Sequence, residues 1–459
     1  MTEHAVVNFG QDSPIVDRAE GVYIYDTNGK QYLDGSAGAM TVSIGHGVRE
    51  VVDAMLEQAH KASFVYRAQF NNDPAEMLAR ELAALAPGDI NHAFFVNSGS
   101  EATELAMRAS LQYWRELGRS RKAKILGRRV SYHGMTMGSL SMSGHDLRRK
   151  DYGGLLHEFA VAPPIYEYRF PLSGSDADNY GASVWERIIQ EQDADTVAAV
   201  IVEPIVGAAG GALTPPIGYL SALREICDRH DVLLIVDEVV TGLGRTGRWF
   251  ACEYDRIVPD MIACGKGMTS GYTPMGGVLF RDRIVEASRQ GSRTPPFGHT
   301  FSNNPLSAAT SLAVLRYMRR TNILDNVALR GAQLEAGLRA LATQYPWMAD
   351  VRGRGLLWGF EFITNARTRA APDPALCVNT RFVAHCFSAG LNVYPAGIAP
   401  YNNAALISPP LNIAEGEIEE LLRRLEVGLQ LIGKEIWPAL RSSPRSRSSP
   451  GKDASPVAE

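Results

Sequence analysis

Val232-Leu233-Leu234-Ile235-Val236-Asp237-Glu238 is the stretch whose reading decides the fold. Five apolar residues without polar alternation suit a strand buried on both faces, as in a mostly parallel sheet covered by helices. The carboxylates that end it then fall at the carboxyl edge of the sheet, where open α/β sheets bind ligands. The same punctuation recurs outward, with apolar runs at Ala93–Val96, Ala123–Leu126, Val197–Val202, Met261–Cys264 and Gly277–Phe280. Helical spacing separates them at Ala102–Arg115 and Tyr219–Arg229. The pattern predicts an α/β protein with a large sheet domain over residues 60–305. After Asn304-Pro305, helices are expected to Arg320 and over Leu324–Gln344, then strands within Val351–Phe362 and a closing helix over Glu415–Leu431. Residues 1–59 are expected to join a smaller α+β domain with residues 306–440, and the Ser/Pro/Arg-rich residues 441–459 to form a disordered tail.

Composition narrows the class of function. The 459 residues carry 46 Lys+Arg against 50 Asp+Glu, a formal charge of −4, with basic residues scattered. That leaves no electrostatic footprint for nucleic acid or an anionic membrane, and directs attention to small-molecule chemistry. No run of 18 apolar residues occurs, and Met1–Glu20 has no apolar core of signal-peptide type, so a cytoplasmic protein without a membrane span is expected. Cys227, Cys252, Cys264, Cys377 and Cys386 are odd in number and lack a C-x-x-C pair, which predicts small buried thiols in a reducing compartment and no metal site. The 43 glycines, about 9% against a usual ~7%, matter by position.

Three local patterns carry chemistry. Asn97-Ser98-Gly99-Ser100-Glu101-Ala102 follows one apolar run and opens a helix, giving free N–H groups and a positive dipole end for a phosphate. The same residues fit a capping box from Ser98 to Glu101. In Cys264-Gly265-Lys266-Gly267-Met268 a lysine ends an apolar run between two glycines. Desolvated there, its amine loses proton affinity and becomes a nucleophile toward carbonyls. Asp237 stands 29 residues earlier at its own strand end. A phosphate cradle, a carboxylate and a buried lysine are what pyridoxal 5'-phosphate needs: an anchor, a partner for its ring nitrogen and an amine for a Schiff base. Gly242-Leu243-Gly244-Arg245-Thr246-Gly247 matches the dinucleotide-binding glycine pattern, but its glycines begin five residues after Asp237 and no helix is expected to follow.

With these residues in hand, the sequence closely resembles the class III aminotransferases, fold type I pyridoxal-phosphate enzymes that include the ω-transaminases. Further landmarks are Tyr132-His133-Gly134, Glu203-Pro204-Ile205 and Thr300-Phe301-Ser302-Asn303-Asn304-Pro305. The resemblance implies Lys266 as the Schiff-base lysine, Asp237 as partner of the ring nitrogen, and Tyr132 and Val239 on the two ring faces. It implies Gly99 and Ser100 at the phosphate, with His133 and Glu203 as further cofactor-site residues. Thr300 would reach the phosphate of a neighbouring subunit, which implies a homodimer with its active sites at the interface.

Several positions depart from the amino-acid-specific branches of that family. Val240 stands where a glutamine contacts the cofactor, Ala208 where a switch glutamate lies, and Leu406 where an arginine grips the substrate carboxylate. No arginine occurs over Tyr394–Ser408, and Met40 replaces an aromatic wall residue. Met40, Tyr66, Ala208, His299 and Leu406 are the expected substrate-pocket residues. The expected activity is ping-pong transfer of an amino group from a primary amine or ω-amino compound to a 2-oxo acid such as pyruvate. The alternative is another reaction type on the same fold: racemase or epimerase, aminomutase or decarboxylase.

Overall fold

The computed structural model describes residues 13–174, 181–295, 298–399 and 402–441. At its centre a seven-stranded sheet runs in the order Ile90–Val96, Gly276–Arg281, Met261–Cys264, Leu233–Asp237, Val197–Val202, Lys124–Arg128, Val161–Ala162. Gly276–Arg281 is antiparallel to both its neighbours, and the pairs from Met261–Cys264 outward to Val161–Ala162 are all parallel. Every residue of Val197–Val202 and Leu233–Asp237 is buried, as runs covered on both faces should be. Register then positions the chemistry. Asp237 pairs with Ala263, so the carboxylate ending one strand sits beside the turn that carries Lys266.

Two smaller sheets complete the molecule. Val16–Glu20, Tyr23–Asp26 and Gln31–Asp34 form a meander, and Leu391–Asn392 adds to it in parallel. Met348–Arg354, Leu357–Phe362, Ala404–Ile407 and Tyr394–Ala396 form the other. Val22, Leu33 and Val51 share one apolar core with Phe360, Phe382, Leu421 and Leu425, so early and late parts of the chain bury the same surface.

Some expected bounds shift. The edge drawn after residue 59 falls inside the helix Arg49–Ala62, which packs on the helix Pro305–Arg320. The closing helix runs Glu415–Arg441, ten residues past Leu431, because Leu425, Leu429, Ile432 and Ile436 continue its buried stripe. Of the tail expected over 441–459, Arg441 ends this helix and the rest lies outside the described residues. The glycine string from Gly242 to Gly247 makes turns and opens no helix. Four cysteines are buried, whereas Cys377 is exposed because it caps the helix Val378–Ser388. Among the described residues no helix is long and apolar enough to cross a membrane, and no cluster of three or more metal-ligating side chains occurs.

Candidate active site

At the carboxyl edge of the large sheet lies a cavity of about 220 Å³. It brings together Gly99, Ser100, Tyr132, His133, Glu203, Asp237, Val239 and Lys266, and with them Met40 and Ala208. A larger cavity of about 510 Å³ beside Phe94 and Phe280 is mainly apolar and contains none of these groups.

The helix Gly99–Glu116 opens onto this space. Ser98 caps it, its Oγ accepting from the Glu101 N–H at 3.2 Å. Glu101 Oε2 accepts from the Asn97 N–H at 2.6 Å, so the returning arm of the expected box reaches one residue further back. The cap occupies Ser98 and Glu101, leaving the N–H groups of Gly99 and Ser100 at the positive end of the helix dipole. A Cβ on Gly99 would lie 2.8 Å from Val239 Cγ1, and one on Gly265 would lie 3.3 Å from both the Gly99 Cα and Val239 Cγ1. The two glycines let three loops close on one another with Val239 wedged between them.

Asp237 is buried, and His133 Nδ1 lies 2.7 Å from its Oδ2 while Oδ1 accepts from the Val239 N–H at 3.1 Å. Two ordered partners fix the carboxylate and still leave lone-pair capacity facing the cavity. His133 is held by its own N–H to Ser143 Oγ and by its carbonyl, which accepts from Thr103 Oγ1. Glu203 bridges the Tyr132 N–H and the Gly207 N–H, each at 2.9 Å, and burial raises its pKa above the ordinary carboxylate range. Burial also lowers the pKa of the Lys266 amine, against the pull of Asp237 and Glu203. Lys266 sits at φ +43°, a left-handed conformation that costs a residue bearing a Cβ about 1–3 kcal/mol. The turn spends that energy to aim the side chain into the cavity.

Not every expected residue reaches this space. Leu406 is fully buried beneath it, packed in one apolar cluster with Met40 and Leu357, and so forms the floor's support rather than its surface. Tyr66 is exposed and does not line the cavity of its own chain. His299 lies outside, its Nε2 3.0 Å from Glu101 Oε2 and its Nδ1 3.2 Å from Asn97 Nδ2. Thr300 is exposed and does not line the cavity of its own chain. Arg148 and Tyr394 do line it, and neither carries a local signal that the sequence could offer. An arginine in a four-residue helix and a tyrosine in a three-residue strand read as ordinary surface and edge positions.

The site can be tested for a phosphate-bearing aromatic aldehyde. The glycine cradle, the two free N–H groups, the fixed carboxylate, the desolvated amine and a tyrosine ring together fit pyridoxal 5'-phosphate. Comparison with known proteins agrees in family. The family model "Aminotransferase class-III" matches residues 7–429. The uncharacterized aminotransferase YodT of Bacillus subtilis is 44% identical over 89% of this chain and 93% of its own length. Putrescine--pyruvate aminotransferase of Pseudomonas aeruginosa is 37% identical over 89% of this chain and 88% of its own. An amine transaminase from an uncultivated Pseudomonas species, solved in its PLP-bound form, superposes with a TM-score of 0.87 at 32% identity, covering 94% of this chain and 98% of that one. Motif order, sheet topology, site and likeness converge, and the chain belongs to the class III aminotransferases.

Proposed function

We propose that the protein transfers an amino group from a primary amine or ω-amino compound to a 2-oxo acid such as pyruvate, using pyridoxal 5'-phosphate in a ping-pong cycle. The observation that carries the donor class is the burial of Leu406 beneath the cavity, with Ala208 and Val240 on its wall. Where a donor carboxylate would be gripped there is an apolar surface, which favours an amine remote from any carboxylate. The putrescine specificity named for the Pseudomonas aeruginosa relative supports the same class.

In this reading Gly99 and Ser100 hold the phosphate through their N–H groups, while Tyr132 and Val239 enclose the ring. Asp237, steadied by His133, keeps a proton on the ring nitrogen. Bound there, the cofactor supplies an electron sink for the carbon that carries nitrogen. Lys266 would hold the cofactor through its amine and, when that amine is free, would take the proton from the substrate Cα. Its burial favours the neutral amine that this work needs. Thr300 completes the neighbouring subunit's site in a homodimer. That reading is supported by its exposure beside the exposed rings of Phe301 and Phe64, whose centroids are 5.6 Å apart. Five unpaired thiols support a reducing cytoplasm as the place of work.

The experiment is direct. The wild-type protein incubated with a primary amine and pyruvate should yield alanine, and borohydride should fix a pyridoxyl group on Lys266, located by peptide mass. Lys266→Ala with full turnover, or trapping at another lysine, would overturn the assignment.

A further inference from the structure

Among the described residues one guanidinium lines the cavity beside Lys266: that of Arg148, on the helix Asp146–Arg149. Its neighbours have structural work. Arg149 donates to the carbonyls of Leu140, Ser141 and Ser143 at 2.8, 2.9 and 3.3 Å, and Arg129 lies 3.7 Å from Asp146. Arg148 has none. Its guanidinium carbon sits 4.7 Å from the centroid of the Tyr132 ring, and among the described residues its donor contact is to Met135 Sδ at 3.7 Å. A thioether is a weak acceptor. Among the described residues no carboxylate lies within ion-pair distance of Arg148, although the group is half-buried.

A guanidinium presents a planar fork that matches a carboxylate two bonds at a time, and a half-desolvated one gains more from that match than one in water. The flat face of Tyr132 holds the fork in place at little entropic cost. Lys266 feels this charge as well, since Arg148 adds to the lowering of the amine pKa that burial dominates. Among the described residues the remaining wall offers no rival: Met40, Ala208, Val240 and Tyr394 are uncharged, and Leu406 is buried below.

We infer that Arg148 receives the carboxylate of the 2-oxo acid, so that the acceptor is read from the Tyr132 side of the cavity while simple amine donors use the same space without engaging it. The inference rests on the aminotransferase reading and names the residue that selects its acceptor class. It also resolves a demand within that reading. One cavity must take a donor without a carboxylate and then an acceptor with one, and a cation displaced to the wall serves the second without a partner buried for the first.

The test uses protein loaded with pyridoxamine phosphate, which makes it independent of the amine donor. Wild type, Arg148→Gln and Arg148→Lys are mixed with pyruvate, 2-oxoglutarate or butanal, and the second-order constants are read from cofactor absorbance. Dissociation constants for pyridoxal phosphate are measured alongside. In Arg148→Gln the ratio of the oxo-acid constant to the butanal constant should fall roughly 10- to 100-fold, and Arg148→Lys should recover part of it as a charge without the fork. Cofactor affinity should stay within about threefold of wild type, since the phosphate is held elsewhere. An unchanged ratio overturns the inference, as does an equal loss for all three carbonyl compounds. A tenfold loss of cofactor affinity overturns it too, because it would assign the arginine to the phosphate. Wild type that aminates butanal but neither oxo acid also refutes it and leaves amino transfer standing. Wild type that aminates none of the three removes the aminotransferase reading itself.

Discussion

Replacing Gly99 by alanine adds one methyl group at the point where three loops meet. The new Cβ would stand 2.8 Å from Val239 Cγ1, 3.2 Å from Cγ2 and 3.6 Å from Cβ. Ordinary carbon contacts begin near 3.4 Å, so the isopropyl group must retreat by about 0.6 Å. Its free direction is into the cavity. In cofactor-free protein that retreat costs little, and alanine suits a first helical turn at least as well as glycine. With the ring in place the same space is contested, and overpacking of this kind costs about 1–3 kcal/mol. The penalty should therefore appear in binding rather than folding, as a dissociation constant for pyridoxal phosphate raised about 5- to 150-fold. Titrating apo-protein by cofactor absorbance measures it, with thermal unfolding of the apo form as the control. The double variant Gly99→Ala/Val239→Ala should show a favourable coupling of at least about 1 kcal/mol, since removing the isopropyl group makes room for the methyl. Native affinity in Gly99→Ala, or an apo form destabilised as much as binding is weakened, would refute the reasoning.

Three further outcomes follow from other parts of the molecule. Glu238 is fully buried and its pKa is raised to about 7, chiefly by burial, so the folded state holds this proton more tightly than the unfolded chain. Its stabilising share is complete below about pH 4.5 and is lost as pH rises to about 7; urea unfolding should show Glu238→Gln gaining about 2–3 kcal/mol on wild type between pH 5 and pH 8. Buried Arg352 donates to Glu361 Oε1 at 2.9 Å and to the Gly211 carbonyl at 3.1 Å, tying the Met348–Arg354 sheet to the loop after Val202. Arg352→Met should cost about 1–3 kcal/mol in urea unfolding by leaving the buried Gly210 and Gly211 carbonyls without the guanidinium donor, while Glu361 keeps the Arg169 guanidinium on Oε2 at 2.6 Å. Charging the exposed aromatic pair, as in Phe64→Glu/Phe301→Glu, should shift sedimentation velocity toward monomer and lower cofactor affinity together, if subunits complete each other's sites.

The large sheet was legible because its strands are buried on both faces. Val197–Val202 and Met261–Cys264 have the bounds their apolar runs predict, and Lys266 and Asp237 stood out as charged residues at the ends of such runs. What the sequence withheld depends on packing across long separations. Leu391–Asn392 is too short to announce itself as a strand and gains its identity from Leu33 and Asp34. Gly277–Phe280 reads as one more apolar strand, and nothing local says that it runs opposite to its neighbours. The anchoring of Asp237 by His133 joins residues 104 positions apart. Arg148 became a candidate only when its helix was seen to border the cavity, and Leu406 lost that role only when its burial was visible.

The reversed strand Gly276–Arg281 also sets a timetable for synthesis. Ile90–Val96 borders no other strand of the sheet, so once translated it waits for a partner that begins 180 residues after Val96. At 5–20 residues per second that wait is roughly 10–40 s, during which the turn bearing Gly99 has no Lys266 loop to close on. The meander that ends at Asp34 waits longer still, for Leu391. A nascent chain of this protein therefore makes its phosphate turn well before its lysine. An unpaired apolar edge must be shielded in the interval, and cofactor capture waits until more than half of the chain, through Lys266, has been made.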